Sequence, residues 1–220
     1  MCNLYSQTRG QDALRALFAP DPGTPGPVED RLGNLPPLPA IYPDQMAPVL
    51  RHDHGGRGAG RVLAMARWGL PTPPMYLEGK KTDRGVTNVR NTRSAHWQRW
   101  LGPSHRCLVP FSAFAEPRGA GLGNAWFRLR GDRPAFFAGL FVPDWTSVRK
   151  LKDGPTTDDL FGFLTCEANA EVRPVHPRAM PVILTEASEW EAWLTAPTPE
   201  ALALQRPLKG GLLEPSDDPA

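Results

Sequence analysis

Apolar positions along this chain come in short bursts, each closed by Gly, Pro, Asp or Asn. Residues 1–7 read as a short extended segment. Gln11–Phe18 sets Leu14, Leu17 and Phe18 on one helical face, ended at Pro20. Residues 19–39 are dense in Pro, Gly and Asp and read as a loop. Ile41–Arg51 and Arg61–Leu70 have extended patterns, and RHDHGGRGAG between them reads as a hairpin-type connection. Arg106–Phe111, Leu160–Cys166 and Pro181–Leu184 are apolar runs of buried-strand length. Asn124–Arg130 and Ala135–Phe141 predict a hairpin about Gly131-Asp132. Helical spacing returns at Ser94–Leu101, where Trp97, Trp100 and Leu101 fall at i, i+3 and i+4 and read as core. It returns again through Trp190, Trp193 and Leu194 with Thr185 as N-cap, and at Pro199–Gln205. Many short strands with scattered helices predict an α+β fold in one domain, residues 1–206. From Pro207 the Gly-, Pro- and Asp-rich composition predicts a disordered tail, 207–220.

Composition sharpens this picture at three points. Gly and Pro number 21 and 26 of 220 residues, nearly twice the usual share, which favours turns and short strands over long helices. The net charge is only +2, yet Lys80 to Arg106 holds seven Lys or Arg against Asp83 alone. A basic segment in a near-neutral chain suits a small anionic partner. The three cysteines, Cys2, Cys107 and Cys166, have neither disulfide nor zinc spacing. His52 and His54 stand two apart, but in a glycine-rich loop that argues against a metal site. No apolar run is long enough for a membrane span, and no leader pattern opens the chain. A reducing cytoplasm is the expected compartment.

Chemistry concentrates at the start. Cys2 follows Met1, and methionine is normally removed before a small residue. Cys2 would then carry an α-amine, pKa near ~8, beside a thiol, near ~8.5. An amine condenses with an aldehyde to an imine, and the adjacent thiol can close on the imine carbon as a thiazolidine. Further polar residues cluster in Thr87-Asn88-Val89-Arg90-Asn91, in Phe114-Ala115-Glu116-Pro117, and from Thr165 and Glu167-Ala168-Asn169 to His176-Pro177-Arg178-Ala179-Met180-Pro181.

Together, and in this order, these stretches resemble the SOS response-associated peptidase family over residues 2 to about 195. Trp68-Gly69-Leu70-Pro71, Ala138-Gly139-Leu140 and Tyr42-Pro43 through Pro48-Val49 add to the likeness. The resemblance implies a mostly antiparallel, barrel-like β core with short helices. It also implies a covalent thiazolidine crosslink to abasic sites in single-stranded DNA, formed through Cys2. In that reading Cys2, Asn88, Glu116 and His176 are catalytic. Arg90 and Arg178 hold phosphates, Thr165 matches a family threonine and is a further DNA-binding candidate, and Trp68 stacks on a base or packs in the core. No metal or cofactor is required. The expected partner is abasic single-stranded DNA, bound by a monomer that joins the nucleoid when on DNA. The alternatives are an N-terminal-nucleophile cysteine peptidase, including removal of its own Met1, and a non-catalytic binder of single strands or modified bases. The chain departs from the family pattern at Asn3-Leu4 (for Gly-Arg), at Thr92 (for Glu), at Pro117 (for Trp) and at the inserted Ala179. The first of these removes one phosphate contact.

Overall fold

The computed structural model describes residues 2–16, 28–53, 60–119 and 121–216. In chain order the elements begin with β1 (Tyr5–Gln7), α1 (Gln11–Ala16), β2 (Val28–Asp30), β3 (Leu38–Ile41), β4 (Met46–His52) and β5 (Arg61–Trp68). Next come β6 (Asn88–Val89), α2 (Ala95–Gln98), β7 (Arg106–Pro110), β8 (Ala113–Pro117) and β9 (Asn124–Leu129). The long strands β10 (Phe136–Val148) and β11 (Pro155–Cys166) follow, then the short β12 (Met180–Pro181) and β13 (Ile183–Leu184). The chain ends through α3 (Ala187–Thr195), α4 (Thr198–Leu202) and β14 (Leu213–Ser216).

Five strands close on themselves. β5, β4, β7, β10 and β11 are neighbours in that order, and parallel pairing of β11 with β5 joins the ends. This barrel buries Val49, Leu50, Leu63, Leu108, Phe137, Phe161 and Phe163, which gives the apolar runs of the sequence their place. β7 and β10 approach closely because Gly139 has no side chain: a Cβ there would lie 2.5 Å from Cys107 Sγ. A second sheet has the order β14-β9-β8-β1-β3. The Tyr5 ring of that sheet sits edge-on to Trp68, Phe137 and Phe163, at 5.1, 5.7 and 6.2 Å between centroids. These edge-to-face contacts bind the second sheet to the barrel.

The expected α+β, barrel-like architecture is the observed one. Several local expectations are not. β9 and β10 form no hairpin: β9 lies between β8 and β14, while β10 pairs with β7, β11 and β13. The turn at Gly131, with φ of +73°, passes the chain from one sheet to the other. The loop expected over 19–39 contains β2, which runs parallel to β5, and β3, which pairs with β1. α3 is capped by Glu186, not Thr185. Glu186 and Glu189 form a reciprocal capping box, and the Thr185 N–H donates to Glu189 at 2.9 Å. Residues 207–216 are not a free tail, since β14 pairs with β9 and both Leu208 and Leu213 are buried. Leu17, Phe18, His54 and residues 217–220 lie outside the described residues. No helix among the described residues is long and apolar enough to cross a membrane.

Arg106 is a structural cation rather than part of a basic surface. It is fully buried and donates to Leu101 O, Trp193 O and Ala196 O at 2.9, 2.7 and 2.7 Å. It thereby satisfies carbonyls at the C-terminal end of α3. Burial lowers its guanidinium to about 10, still charged at neutral pH.

Candidate active site

Cys2 sits where the N-terminal segment enters the second sheet. The Ala115 N–H donates to Leu4 O at 2.9 Å, so the segment is already aligned along β8 before β1 begins. Leu4, at the position of a family arginine, is buried with Ala113, Ala115 and Trp126. Its side chain therefore packs where a cation would have reached outward.

β6 is held parallel to β11, with Asn88 opposite Phe163. From there Asn88 Nδ2 donates to Cys2 O at 2.9 Å and to Thr87 Oγ1 at 2.7 Å. This single amide joins the first residues of the chain to a strand 86 positions away. Glu116, on β8, is fully buried beside Cys2. Burial pushes the Glu116 carboxyl above its ordinary range, and His176 offsets part of that shift. The Cys2 thiol, which points to Leu4 O at 3.4 Å, is pushed up well beyond a free thiol, first by burial and then by Glu116.

His176 lies in the turn before β12, with Nδ1 3.9 Å from Glu116 Oε2 and 2.7 Å from Ala179 O. A carbonyl only accepts, so Nδ1 carries the proton and Nε2 is the basic ring nitrogen. Ala179, an insertion relative to the family pattern, thus supplies the carbonyl that orients the ring. Cys2, Asn88, Glu116 and His176 come together from four separate parts of the chain.

Arg90 follows β6 and is exposed. Its Nη1 donates to Cys166 O at 3.1 Å and to Arg178 O, which brings Arg90 and Arg178 side by side at the rim. The other two candidates do not reach a strand. Trp68 is fully buried among Tyr5, Phe161 and Phe163, and its Nε1 donates to Thr87 O at 3.1 Å. Barrel closure sets Trp68 opposite Phe161, so it fixes the approach to β6 and offers no face to a base. Thr165 is likewise buried, on β11 opposite Pro181, and is not a surface contact.

Two buried polar atoms here have no hydrogen-bond partner among the described residues: Asn88 Oδ1 and Thr165 Oγ1. Unsatisfied buried acceptors and hydroxyls are costly in a finished core, and they cluster where a ligand completes them. No group of three or more His, Cys, Asp or Glu among the described residues is placed to hold a metal ion.

Sequence reasoning missed two features. Gln205, just after α4, donates to Arg90 O at 2.8 Å and to Thr165 O at 3.0 Å, tying the ends of β6 and β11 together. A lone glutamine after a helix carries no signal of such a role. The second is a groove of about 850 Å³ that begins at Asn88 and Arg90 and runs along the 72–86 segment. Its sequence trace is the basic segment, of which Lys80, Lys81, Arg84 and Arg90 line it.

A family model described as SOS response associated peptidase (SRAP) matches residues 1–215. The chain belongs to this family. No curated protein matches it. Among solved structures, this SRAP chain is similar to a protein from Bordetella bronchiseptica, with TM-score 0.68 and 22% identity over 98% of both chains. It is similar to a protein from Bacteroides thetaiotaomicron, with TM-score 0.71 and 16% identity over 97% of this chain and 90% of that one. A phage-related protein from Bordetella bronchiseptica gives TM-score 0.66 and 21% identity over 98% and 93%. At these identities the likenesses establish the SRAP chain's fold alone.

Proposed function

We propose that this SRAP protein traps abasic sites in single-stranded DNA as a covalent thiazolidine on Cys2. The observation that carries this reading is the gathering of Asn88, Glu116 and His176 around the first residue that would bear an α-amine.

Removal of Met1 frees the Cys2 amine. The amine adds to C1′ of the ring-opened sugar, and the resulting carbinolamine loses its hydroxyl as water. Glu116 in its acid form, favoured by burial, donates the proton that makes water the leaving group. Loss of water leaves an iminium and the Glu116 carboxylate. The Cys2 thiol gives its proton back to Glu116, its sulfur bonds to the iminium carbon, and the C=N electron pair returns to the ring nitrogen, which keeps its hydrogen. One water is released overall. His176 exchanges protons with the sugar oxygen through its basic Nε2, and Arg90 and Arg178 hold flanking phosphates.

The family description favours a second reading, a peptidase that removes Met1 at the same site. A cysteine peptidase of the usual kind needs its thiol pKa lowered to give thiolate. Here burial and Glu116 raise it. That direction favours attack by the amine first, with sulfur following.

Intact mass after incubation with an abasic oligonucleotide tests the reading. The expected product lacks Met1, equals protein plus DNA less one water, and survives denaturation without borohydride. Cys2→Ala keeps an amine but has no sulfur, so its adduct should persist only after reduction. An equally stable unreduced adduct from Cys2→Ala would exclude the thiazolidine. Binding with no adduct at all would favour the non-catalytic binder.

A further inference from the structure

We infer that the cavity at the far end of β1 and β8 from Cys2 and Glu116 is a second ligand site, for a small molecule carrying a phosphate or diphosphate group. The inference is independent of the abasic-site reading and uses none of its residues.

The cavity has a volume of about 530 Å³ and is walled by the residues just after β1, those just before β8, and parts of β9, β14 and the Gly131 turn. That volume lies within the ~300–1,000 Å³ of small-ligand sites. The register of β8 and β9 keeps it apart from the Cys2 site: Arg128 stands opposite Ala113, whereas Glu116 stands opposite Ala125. From Ser112 to Glu116 the strand rises roughly 13 Å.

The polar wall is made mostly of donors. Arg9, Arg128 and Arg133 line it, against one carboxylate among the described residues, Glu214. Glu214 accepts from Arg128 Nε at 2.7 Å and lies 3.7 Å from Arg130 Nη1. Arg128 keeps both Nη groups without a partner among the described residues, and Arg133 spends only Nη2, on Glu186 at 3.2 Å. Ser112 Oγ accepts from the Thr8 N–H at 2.9 Å and from the Thr8 hydroxyl at 3.0 Å. Both its lone pairs are thereby used, and its own proton is left to donate. A guanidinium fork pairs two oxygens of a phosphate, and a hydroxyl serves a third. A lone carboxylate has only two oxygens to share among these donors.

The donors are also held in place. Gln7 Nε2 donates to Arg9 O at 2.9 Å, and Arg9 Nη2 donates to Arg133 O at 3.2 Å, which joins the end of β1 to the turn before β10. The Ser112 N–H donates to Ser6 O at 2.7 Å. On the apolar side Phe111 stacks on Phe137, 4.0 Å between centroids. A wall fixed in this way needs little ordering when an anion enters. A bound phosphate would bridge β1, β8 and β9, and so stabilise the sheet whose other end carries Cys2 and Glu116.

Isothermal titration of the whole protein with inorganic pyrophosphate, at constant ionic strength, tests the site. One saturable site is expected, with a melting temperature that rises with pyrophosphate concentration. Arg128→Gln and Ser112→Ala should each weaken binding at least about tenfold, as loss of a hydrogen bond to a charged group does. Ser112→Ala also removes the acceptor for Thr8, so Arg133→Gln, at an exposed side chain, gives a variant whose folding is not at issue. It should weaken binding by a similar factor. Arg90→Ala with Arg178→Ala should leave the Kd within about twofold, because those residues are distant. Inorganic phosphate should compete with pyrophosphate, and citrate should bind at least about tenfold more weakly than pyrophosphate. The site is overturned if pyrophosphate shows no saturable binding. It is overturned equally if binding survives Arg128→Gln and Arg133→Gln but is lost with Arg90 and Arg178. Citrate binding as tightly as pyrophosphate would overturn the phosphate class.

Discussion

Glu116 has no exposed surface, yet it faces the one thiol that the proposed chemistry needs. Burial raises its carboxyl above the ordinary 4.5. Above that pH the unfolded chain gives up the proton while the folded chain still holds it. Glu116 therefore contributes stability that is full below 4.5 and is lost as pH rises through its folded value. Glu116→Gln removes that dependence. Thermal unfolding from pH 4 to 8 should show the two proteins alike at the acid end, with Glu116→Gln increasingly the more stable toward pH 8. The same variant should form adduct at least about tenfold more slowly, since it can no longer shuttle protons; that corresponds to ~1.4 kcal/mol of transition-state stabilisation. A parent protein that gains on the variant as pH rises would show that the fold favours the carboxylate. At this scale the residues that meet around Cys2 were legible, because each stands in a motif of specific types. The DNA-contact reading of Thr165 and the base-stacking alternative for Trp68 fail for a physical reason, while the core-packing alternative for Trp68 is the one observed. A motif fixes where a residue stands in the chain but not whether its side chain faces the core, and both are buried.

The 69–86 segment shows what one buried ion pair does for an element with almost no regular structure. Arg149 passes between Gly69 and Gly85, which are φ +144° and +76°. A Cβ on Gly85 would lie 2.2 Å from Arg149 Nη1 and 2.8 Å from Gly69 Cα, so the neighbour that must give includes backbone. Arg149→Met leaves the Asp83 carboxylate buried without its cation, and urea unfolding should show a loss of about 3–5 kcal/mol. Adding Asp83→Asn should recover part of that loss, because the stranded charge is gone. Strictly additive losses would mean that the two side chains do not act as a pair. The segment's turn residues announced a loop, but its partner Arg149, just past β10, lies 66 positions from Asp83. The same distance effect hid the parallel pairings of β11 with β5 and β6. It also disguised β9 and β10, whose alternation fits a hairpin equally well as two strands of different sheets.

Across the whole molecule, the second sheet depends on the C-terminal segment and the site depends on the open rim. Gly, Pro and Asp made residues after 206 look disordered, yet composition described the connections and not the leucines among them. Leu208 and Leu213 are buried and β14 extends the sheet beside β9. Truncation after Arg206 should cost roughly 3–6 kcal/mol, at ~1.5–3 for each leucine exposed, which a urea melt would register. Unchanged stability would mean that β14 is not needed to hold β9. Binding is the complementary test. The longest helix among the described residues, α3, has nine residues and packs on the barrel through the Trp193 indole N–H to Cys107 O and Gly139 O, so none is set to enter a major groove. On the proposed function, affinity for single strands comes instead from Lys80, Lys81, Arg84, Arg90 and Arg178 along one edge of the site. If each meets one phosphate, log Kd should rise with log salt at a slope of about 3.5, or ~0.7 per contact. Arg90→Ala and Arg178→Ala should each lower the slope by ~0.7 without altering base preference, because a phosphate contact carries no sequence information. Lys150, which pairs with Asp44 at 3.4 Å, provides the control: Lys150→Ala should leave the slope unchanged. Equal affinity and equal slope for intact duplex would remove the single-strand preference.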